Sequence, residues 1–401
     1  MLPLPAGADV AMFERDAAAL VLAARTGDEE LAAWTTSRVG AGRDVRLAAY
    51  AKARLAESND ALAQSQAILA LAHGFADWEA LTAHLDALGL DGSPVADFER
   101  AADAIVSGDL ATLDALLART PALVHQRSTR VHRATLLHYV AANGVENYRQ
   151  RTPPGILAIA ERLLDAGADV NAEGEMYGGG AKVLGLTVTS AHPRGAGVQL
   201  QLADLLMARG APLEPRIVHS ALMNGCPEAA AHMAAKGGEV GLQDAAGIGR
   251  VDLLRAHLAA GNIAADDKEI VHALFMASWY GRHAAIAALL DHGLAVDTRH
   301  PTDGESALHI AAHRGDEALV DLLLARGAPI DSADGRYGTP PVVWALHAWL
   351  VENRTPGEPY RAVVLRLLEA GATVTREWID DDRLRGDAEL WPLFQRALRE
   401  G

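Results

Sequence analysis

The sequence predicts an all-α fold, a solenoid of stacked helix pairs. Three observations carry this. A short phrase of paired leucines ending in glycine recurs along the chain. Its spacing clusters near one helix–turn–helix length. Aromatic residues are only 5% of the chain, while 50% of it is apolar and Ala and Leu dominate. That bias suits close-packed helices rather than a sheet core.

The phrase reads Leu163-Leu164-Asp165-Ala166-Gly167, then Leu205-Leu206-Met207-Ala208-Arg209-Gly210. It returns as Leu289-Leu290-Asp291-His292-Gly293, Leu323-Leu324-Ala325-Arg326-Gly327 and Leu367-Leu368-Glu369-Ala370-Gly371. Each glycine is placed to end an outer helix in the left-handed conformation, where a Cβ would clash. Gly293 to Gly327 is 34 residues and Gly261 to Gly293 is 32. A second phrase opens the units: Ser306-Ala307-Leu308-His309-Ile310-Ala311, with Thr135-Leu136-Leu137-His138-Tyr139-Val140 and Thr339-Pro340-Pro341 as looser forms.

Over residues 97–375 the combination of period, L-H phrase and L-L-x-x-G-A phrase resembles the ankyrin-repeat family. The resemblance implies about eight stacked antiparallel helix pairs with turn fingers on one side. A single pair cannot bury its own apolar face, so neighbours must do it. The repeats are uneven. Gly167 to Gly210 is 43 residues and Gly327 to Gly371 is 44, whereas Gly210 to Gly237 is 27 and Gly237 to Gly261 is 24. The short units, four and five, are expected to lack a full finger. Residues 376–401 read as a C-terminal helical cap.

Residues 1–90 read as a separate helical module. In His73-Gly74-Phe75-Ala76-Asp77-Trp78, Gly74 ends one helix and Asp77 caps the next, with Trp78 and Leu81 on its packed face. This phrase resembles a small helical module that precedes ankyrin repeats in bacterial proteins. Asp91-Gly92-Ser93-Pro94 reads as the link.

Composition narrows the function. The net charge is -16 with no basic run, which argues against nucleic acid. No apolar stretch reaches membrane-span length, and no basic-then-apolar leader follows Met1. Cys226 is the single cysteine, so no internal disulfide forms, which fits a cytoplasmic protein. No cofactor is implied. Gly178-Gly179-Gly180 is followed by Lys182-Val183, not by a phosphate-binding Lys–hydroxyl pair. His309 and His313 stand at i and i+4, but Ile310, Ala311 and Ala312 lie between them, so the metalloprotease glutamate is missing. No metal site is expected. The resemblance instead gives His138, His219 and His309 a structural role, bonding neighbouring loop backbone. Cys226 precedes Pro227 without a nucleophile motif and reads as a buried small hydrophobe.

The family implies a partner-binding stripe at the ends of the inner helices. Carried onto this chain it falls on Ala142-Asn143, Thr189-Ser190, Met223-Asn224, Trp279-Tyr280, His313-Arg314 and Leu346-His347. Aromatic area with imidazole, amide and guanidinium direction suits a protein or peptide partner. Two insertions stand out, Val145 to Gly155 and Val351 to Arg361, each opening Val-Glu-Asn, with a third at Ala191 to Gln199. Glu146, Tyr148, Arg149, Gln150 and His192 lie in them, and Tyr139 and the finger residue Tyr177 lie nearby. One reading is a binding scaffold using these groups with the stripe. The alternative is a small-molecule receptor or a cofactor-free isomerase, cyclase or lyase, with Glu146, Tyr148 and His192 converging as acid and base in a pocket at repeats two and three. A third reading is a lengthened inner helix with an inert Pro-terminated loop. The fold alone does not choose among them.

Overall fold

The computed structural model of the chain describes residues 1–26, 55, 60–90, 92–260, 264, 267–352 and 358–398. Asp91, Gly261, residues 353–357 of the second long insertion and residues 399–401 of the tail lie outside these. The chain divides into two compact units. One comprises Met1–Glu214 with Asn224–Ala229, the other Pro215–Met223 with Ala230–Gly401.

Both units are helical. Among the described residues, extended structure amounts to the ribbon Glu173–Gly174 against Ala181–Lys182 and three isolated bridges. In the second unit the inner helices Leu242–Ile248, Lys268–Trp279, Ala307–Arg314 and Pro341–Leu346 pack in chain order. The outer helices Val251–Ala260, His283–Asp291, Glu317–Ala325 and Glu358–Glu369 do the same behind them. One core therefore runs from Leu242 through Leu274, Leu308 and Leu346 to Phe394. Each fully buried leucine there contributes ~1.5–3 kcal/mol, and only neighbouring pairs supply the burial. The helices Asp382–Arg385 and Leu390–Ala397 follow, and Leu390 and Phe394 bury wholly against the last repeat.

The glycines behave as the phrase predicts. Gly167, Gly210, Gly293, Gly327 and Gly371 all have φ between 82° and 109°. Gly237 heads a connection that reaches the next inner helix by Leu242, too short for a finger, as the 24-residue spacing implies.

In the first unit, Val10–Thr26, Ala61–Ala72 and Trp78–Leu88 form the N-terminal part. The His73-Gly74 phrase ends a helix with Gly74 at φ 84°. The Asp77 carboxylate accepts the Ala80 N–H at 2.8 Å, and Leu81 is fully buried. This part is tied to the first finger: Val131 N–H donates to Gly74 O at 2.8 Å, and Arg130 lies 5.3 Å over the Phe75 ring. The repeat helices Pro94–Ser107 and Leu110–Arg119 follow, then Leu136–Ala141, Ile156–Asp165, Val183–Val188 and Gln199–Ala208.

Leu136–Ala141 is a 3-10 helix rather than an α-helix, and it stops at Ala142 in the left-handed conformation. The lengthening at repeat three is an extra short helix, Ala191–Gly195. At repeat eight the inner helix runs on into a π-type turn, His347–Val351, closed by Glu352 N–H to His347 O at 3.0 Å.

His138 and His309 are buried and bind loop backbone, as the family position implies. His309 Nδ1 accepts the Ser306 N–H at 3.1 Å and its Nε2 lies 3.1 Å from Thr339 O. His138 does the same with Thr135 and with Ala181 O at 3.3 Å. His219 departs from this. Its Nδ1 pairs with Asp244 at 2.8 Å, because no finger backbone stands in the shortened repeat. Two arginines stitch successive fingers: Arg127 donates to Glu173 O, and Arg299 to Ala333 O at 2.8 Å.

Burial lowers the pKa of both His138 and His309 from 6.5 to about 4, despite the backbone carbonyls beside them. Arg127 and His132 near the first, and Arg299 near the second, push the same way, while Asp334 opposes. The folded state thus binds fewer protons than the unfolded chain between these values. Stability is fully present above pH 6.5 and is lost as pH falls toward 4. The thermal midpoint followed by circular dichroism is expected to drop through that window, and His309→Gln to flatten the slope. An unchanged midpoint between neutral pH and the lower limit would show that these imidazoles are not buried neutral.

Candidate functional site

The first suspected site resolves into packing. Glu146 is fully buried and Arg149 nearly so. Both face Glu99 on Pro94–Ser107 and Arg130 on the first finger. Arg130 Nη1 lies 2.5 Å from Glu99 and 3.1 Å from Glu146. Arg149 Nη1 lies 2.7 Å from Glu99 and 3.2 Å from Glu146, and its Nε donates to Asp103 at 2.8 Å. Tyr139 donates its hydroxyl to Glu146 at 3.3 Å, and His132 Nε2 stands 3.5 Å from the same oxygen. Burial alone would raise the Glu146 pKa. His132 and the two guanidinium groups reverse that and hold it at about 2.

A carboxylate so firmly ionised is poorly matched to base work near neutrality. Tyr148 is half-buried with the Arg149 guanidinium 5.5 Å over its ring, and burial raises its phenol pKa. His192 is exposed on Ala191–Gly195. The three candidate catalytic side chains thus occupy three environments, and the first insertion turns inward through Asn147–Arg149. Gln150 is used locally, donating to Val145 O at 2.8 Å. Tyr177 does lean across: its hydroxyl donates to Asn143 at 2.6 Å, from a left-handed backbone with φ 54°. In the stripe, Ala142, Ser190 and Leu346 are buried, whereas Met223 and Trp279 are exposed.

The second unit holds a different feature. A cavity of about 610 Å³ is lined by Trp279, His313, Trp344, His347 and Trp378, with Tyr337 and Arg336 on its wall and carboxylates from Asp303, Glu305, Glu352 and Glu377. Local structure explains each position. Trp279 ends Lys268–Trp279, and the Arg314 guanidinium donates to its carbonyl. Tyr280 reaches past the preceding inner helix to Ile217–Met223, its hydroxyl donating to Leu222 O. His313 stands between two indoles, ring centres 6.0 Å from Trp279 and 5.8 Å from Trp344, both edge-to-face. The π-type turn brings Glu352 to 3.1 Å from His313 Nε2 and 3.7 Å from His347 Nε2.

Asp334, buried, builds the wall. It accepts the N–H groups of Arg336, Tyr337 and Thr339, the Thr339 hydroxyl and the Trp344 indole N–H. Burial would raise its pKa, but the hydrogen bonds from the Tyr337 N–H, the Thr339 hydroxyl and N–H and the Trp344 indole hold it well below the usual carboxylate range. His300, Asp303 and Glu305 bring ligand atoms within 4.8 Å of one another. His300 Nδ1 already accepts the Thr302 N–H at 3.3 Å, and Arg336 stands 3.9 Å from Asp303. Those partners compete with an ion for two of the three ligands.

All of the cavity's lining residues except Glu377 and Trp378 lie inside a recognisable stretch. A family model described as ankyrin repeats, in three copies, matches residues 197–334 and 274–376. Residues 197–376 are ankyrin repeats. None of the curated proteins compared with the chain matches it. Ankyrin repeats generally mediate protein–protein binding. In these ankyrin repeats the stripe residues Trp279, His313 and His347 meet in one cavity, while Arg314 bonds the Trp279 carbonyl and Tyr280 bonds Leu222 O. Sequence reasoning missed Asp303, Glu305, Trp344 and Trp378. One signal was available: five of the seven tryptophans, Trp279, Trp344, Trp349, Trp378 and Trp391, crowd the last third of an aromatic-poor chain. No helix among the described residues is long and apolar enough to cross a membrane.

Proposed function

We propose that the chain is a binding scaffold whose ankyrin repeats hold a protein or peptide partner, with the Trp279–Trp344–Trp378 cavity as anchor point. The observation that carries this is an aromatic-walled cavity of about 610 Å³ among the inner-helix ends. Its size falls in the range that binds discrete side chains or ligands. Exposed indoles near a desolvated pocket are where interface energy concentrates. Trp279 is 41% exposed and Tyr337 65% exposed, which is costly area unless something covers it. The enzyme reading has no comparable support, since its acid–base candidates are paired or apart. The buried free Cys226 fits the cytoplasm. Residues 1–90 serve in this reading as the module that precedes the repeats.

The test is panning of a displayed random peptide library against the full chain. Recovered peptides should compete with one another and change tryptophan emission. The paired replacements Trp279→Ala and Trp344→Ala should weaken them by about thirtyfold or more while leaving the helical signal in place. Peptides that bind the double variant as tightly as the native chain would overturn the anchor assignment.

A further inference from the structure

The cavity's polar wall has a sign. Four carboxylates line it against one guanidinium, that of Arg336. Glu352 is engaged by His313 and His347, and Glu305 has His300 Nδ1 3.9 Å from its Oε1 but nothing on its other oxygen. Its side chain is 6% exposed, and its Oε2 is buried without a hydrogen-bond partner. A buried carboxylate oxygen left unpaired is costly and is normally satisfied. Here it stands beside an aromatic cavity, where indole faces attract cations.

Resting on the peptide-scaffold reading above, we propose that the cavity takes an arginine side chain of the partner peptide, its guanidinium stacked on the Trp279 and Trp344 rings and hydrogen-bonded to Glu305 and Asp303. Two features favour this cation over others. The unused Glu305 oxygen calls for an N–H donor, which a quaternary ammonium lacks. A planar guanidinium both stacks on aromatic faces and forks onto carboxylates, where a lysine ammonium is a point charge. The cavity wall already shows the mode on a small scale. The Arg336 guanidinium lies 5.2 Å over the Tyr337 ring and 3.9 Å from Asp303. A metal ion at His300, Asp303 and Glu305 fits less well, given the Thr302 N–H and Arg336 already there.

The experiment titrates the full chain at neutral pH, reading tryptophan emission. The probes are acetyl-Ala-Ala-Arg-Ala-Ala-amide, the same peptide with citrulline or trimethyl-lysine for arginine, and zinc ion alone. The arginine peptide should saturate, and citrulline, neutral and near-isosteric, should bind at least about tenfold more weakly. Glu305→Gln should remove about tenfold of the arginine affinity and leave citrulline unchanged. Asp303→Asn carries the same comparison if Glu305→Gln lowers the melting temperature. Equal binding of arginine and citrulline would overturn the proposal while sparing the scaffold reading. No saturable response to any peptide overturns both. Tighter binding of trimethyl-lysine, or zinc binding that excludes the arginine peptide and vanishes in Glu305→Gln, overturns the arginine assignment.

Discussion

Replacing Arg149 with alanine is expected to destabilise the first unit by about 3–5 kcal/mol. The reason is electrostatic rather than steric. Arg149 and Arg130 together balance Glu99 and Glu146 in a site where both glutamates are nine-tenths buried or more in their residue exposure. Removing one guanidinium leaves two carboxylates facing a single cation without water. It also frees the Glu99 carbonyl, which Arg149 Nη2 now contacts at 3.3 Å. Arg149→Lys should recover only part of the loss, because one ammonium cannot reach Glu99, Glu146 and Asp103 at once. The measurement is the denaturant midpoint read by circular dichroism. A loss below about 1 kcal/mol would mean that water reaches this cluster and that it behaves like a surface ion pair. Glu146 sets the pH dependence. Its folded pKa of about 2 lies below the ordinary value of 4.5, so its contribution is present above the ordinary value and fades as pH falls toward 2.

The second large effect is expected at Asp334. Alanine there removes the acceptor for five donors, three of them backbone N–H groups within the turn Arg336–Thr339. Those groups sit on one tight finger and lose a charge-assisted partner together. A loss of about 2–4 kcal/mol follows, less than the sum of five bonds because water reaches some of the donors. The second consequence is specific to the cavity. Without the carboxylate, the Trp344 indole N–H and the Tyr337 backbone lose their common anchor. Peptide affinity should therefore fall even at temperatures where Asp334→Ala is fully folded. Asp334→Asn should keep roughly half the acceptor capacity and show an intermediate loss in both readouts. Native-like peptide affinity in a folded Asp334→Ala chain would show that the finger does not position the cavity. Because the folded pKa lies below the ordinary carboxylate value, this contribution is present at neutral pH and disappears in acid.

The two residues illustrate what could be read in advance. Glu146 and Arg149 attracted notice because they fall in an insertion, and an insertion of polar residues reads as a functional loop. Nothing in their spacing revealed that Glu99 and Arg130, 47 and 16 positions upstream of Glu146, would meet them. Asp334 attracted no notice, since an aspartate beside a glycine in a finger is an ordinary turn residue. Its five partners become visible only once the finger is folded. His219 shows the same limit from another side. The family position assigned it to loop backbone, but the shortened repeat leaves it Asp244 instead.

By itself the sequence determined the repeat. The spacing of the glycines and paired leucines is a local property, because helix length, helix end and turn are each encoded within about 33 residues. It also determined the N-terminal cap at Asp77 and the imidazoles of the L-H phrase at His138 and His309. Tertiary structure decided which polar side chains are spent on packing and which face a cavity. That choice depends on contacts 30 to 60 residues apart, such as His313 with Glu352, Arg149 with Glu99 and Tyr280 with Leu222. Ion pairs and aromatic clusters of this kind have no period. Their partners are selected by the stacking of neighbouring repeats, and a linear pattern does not carry that geometry.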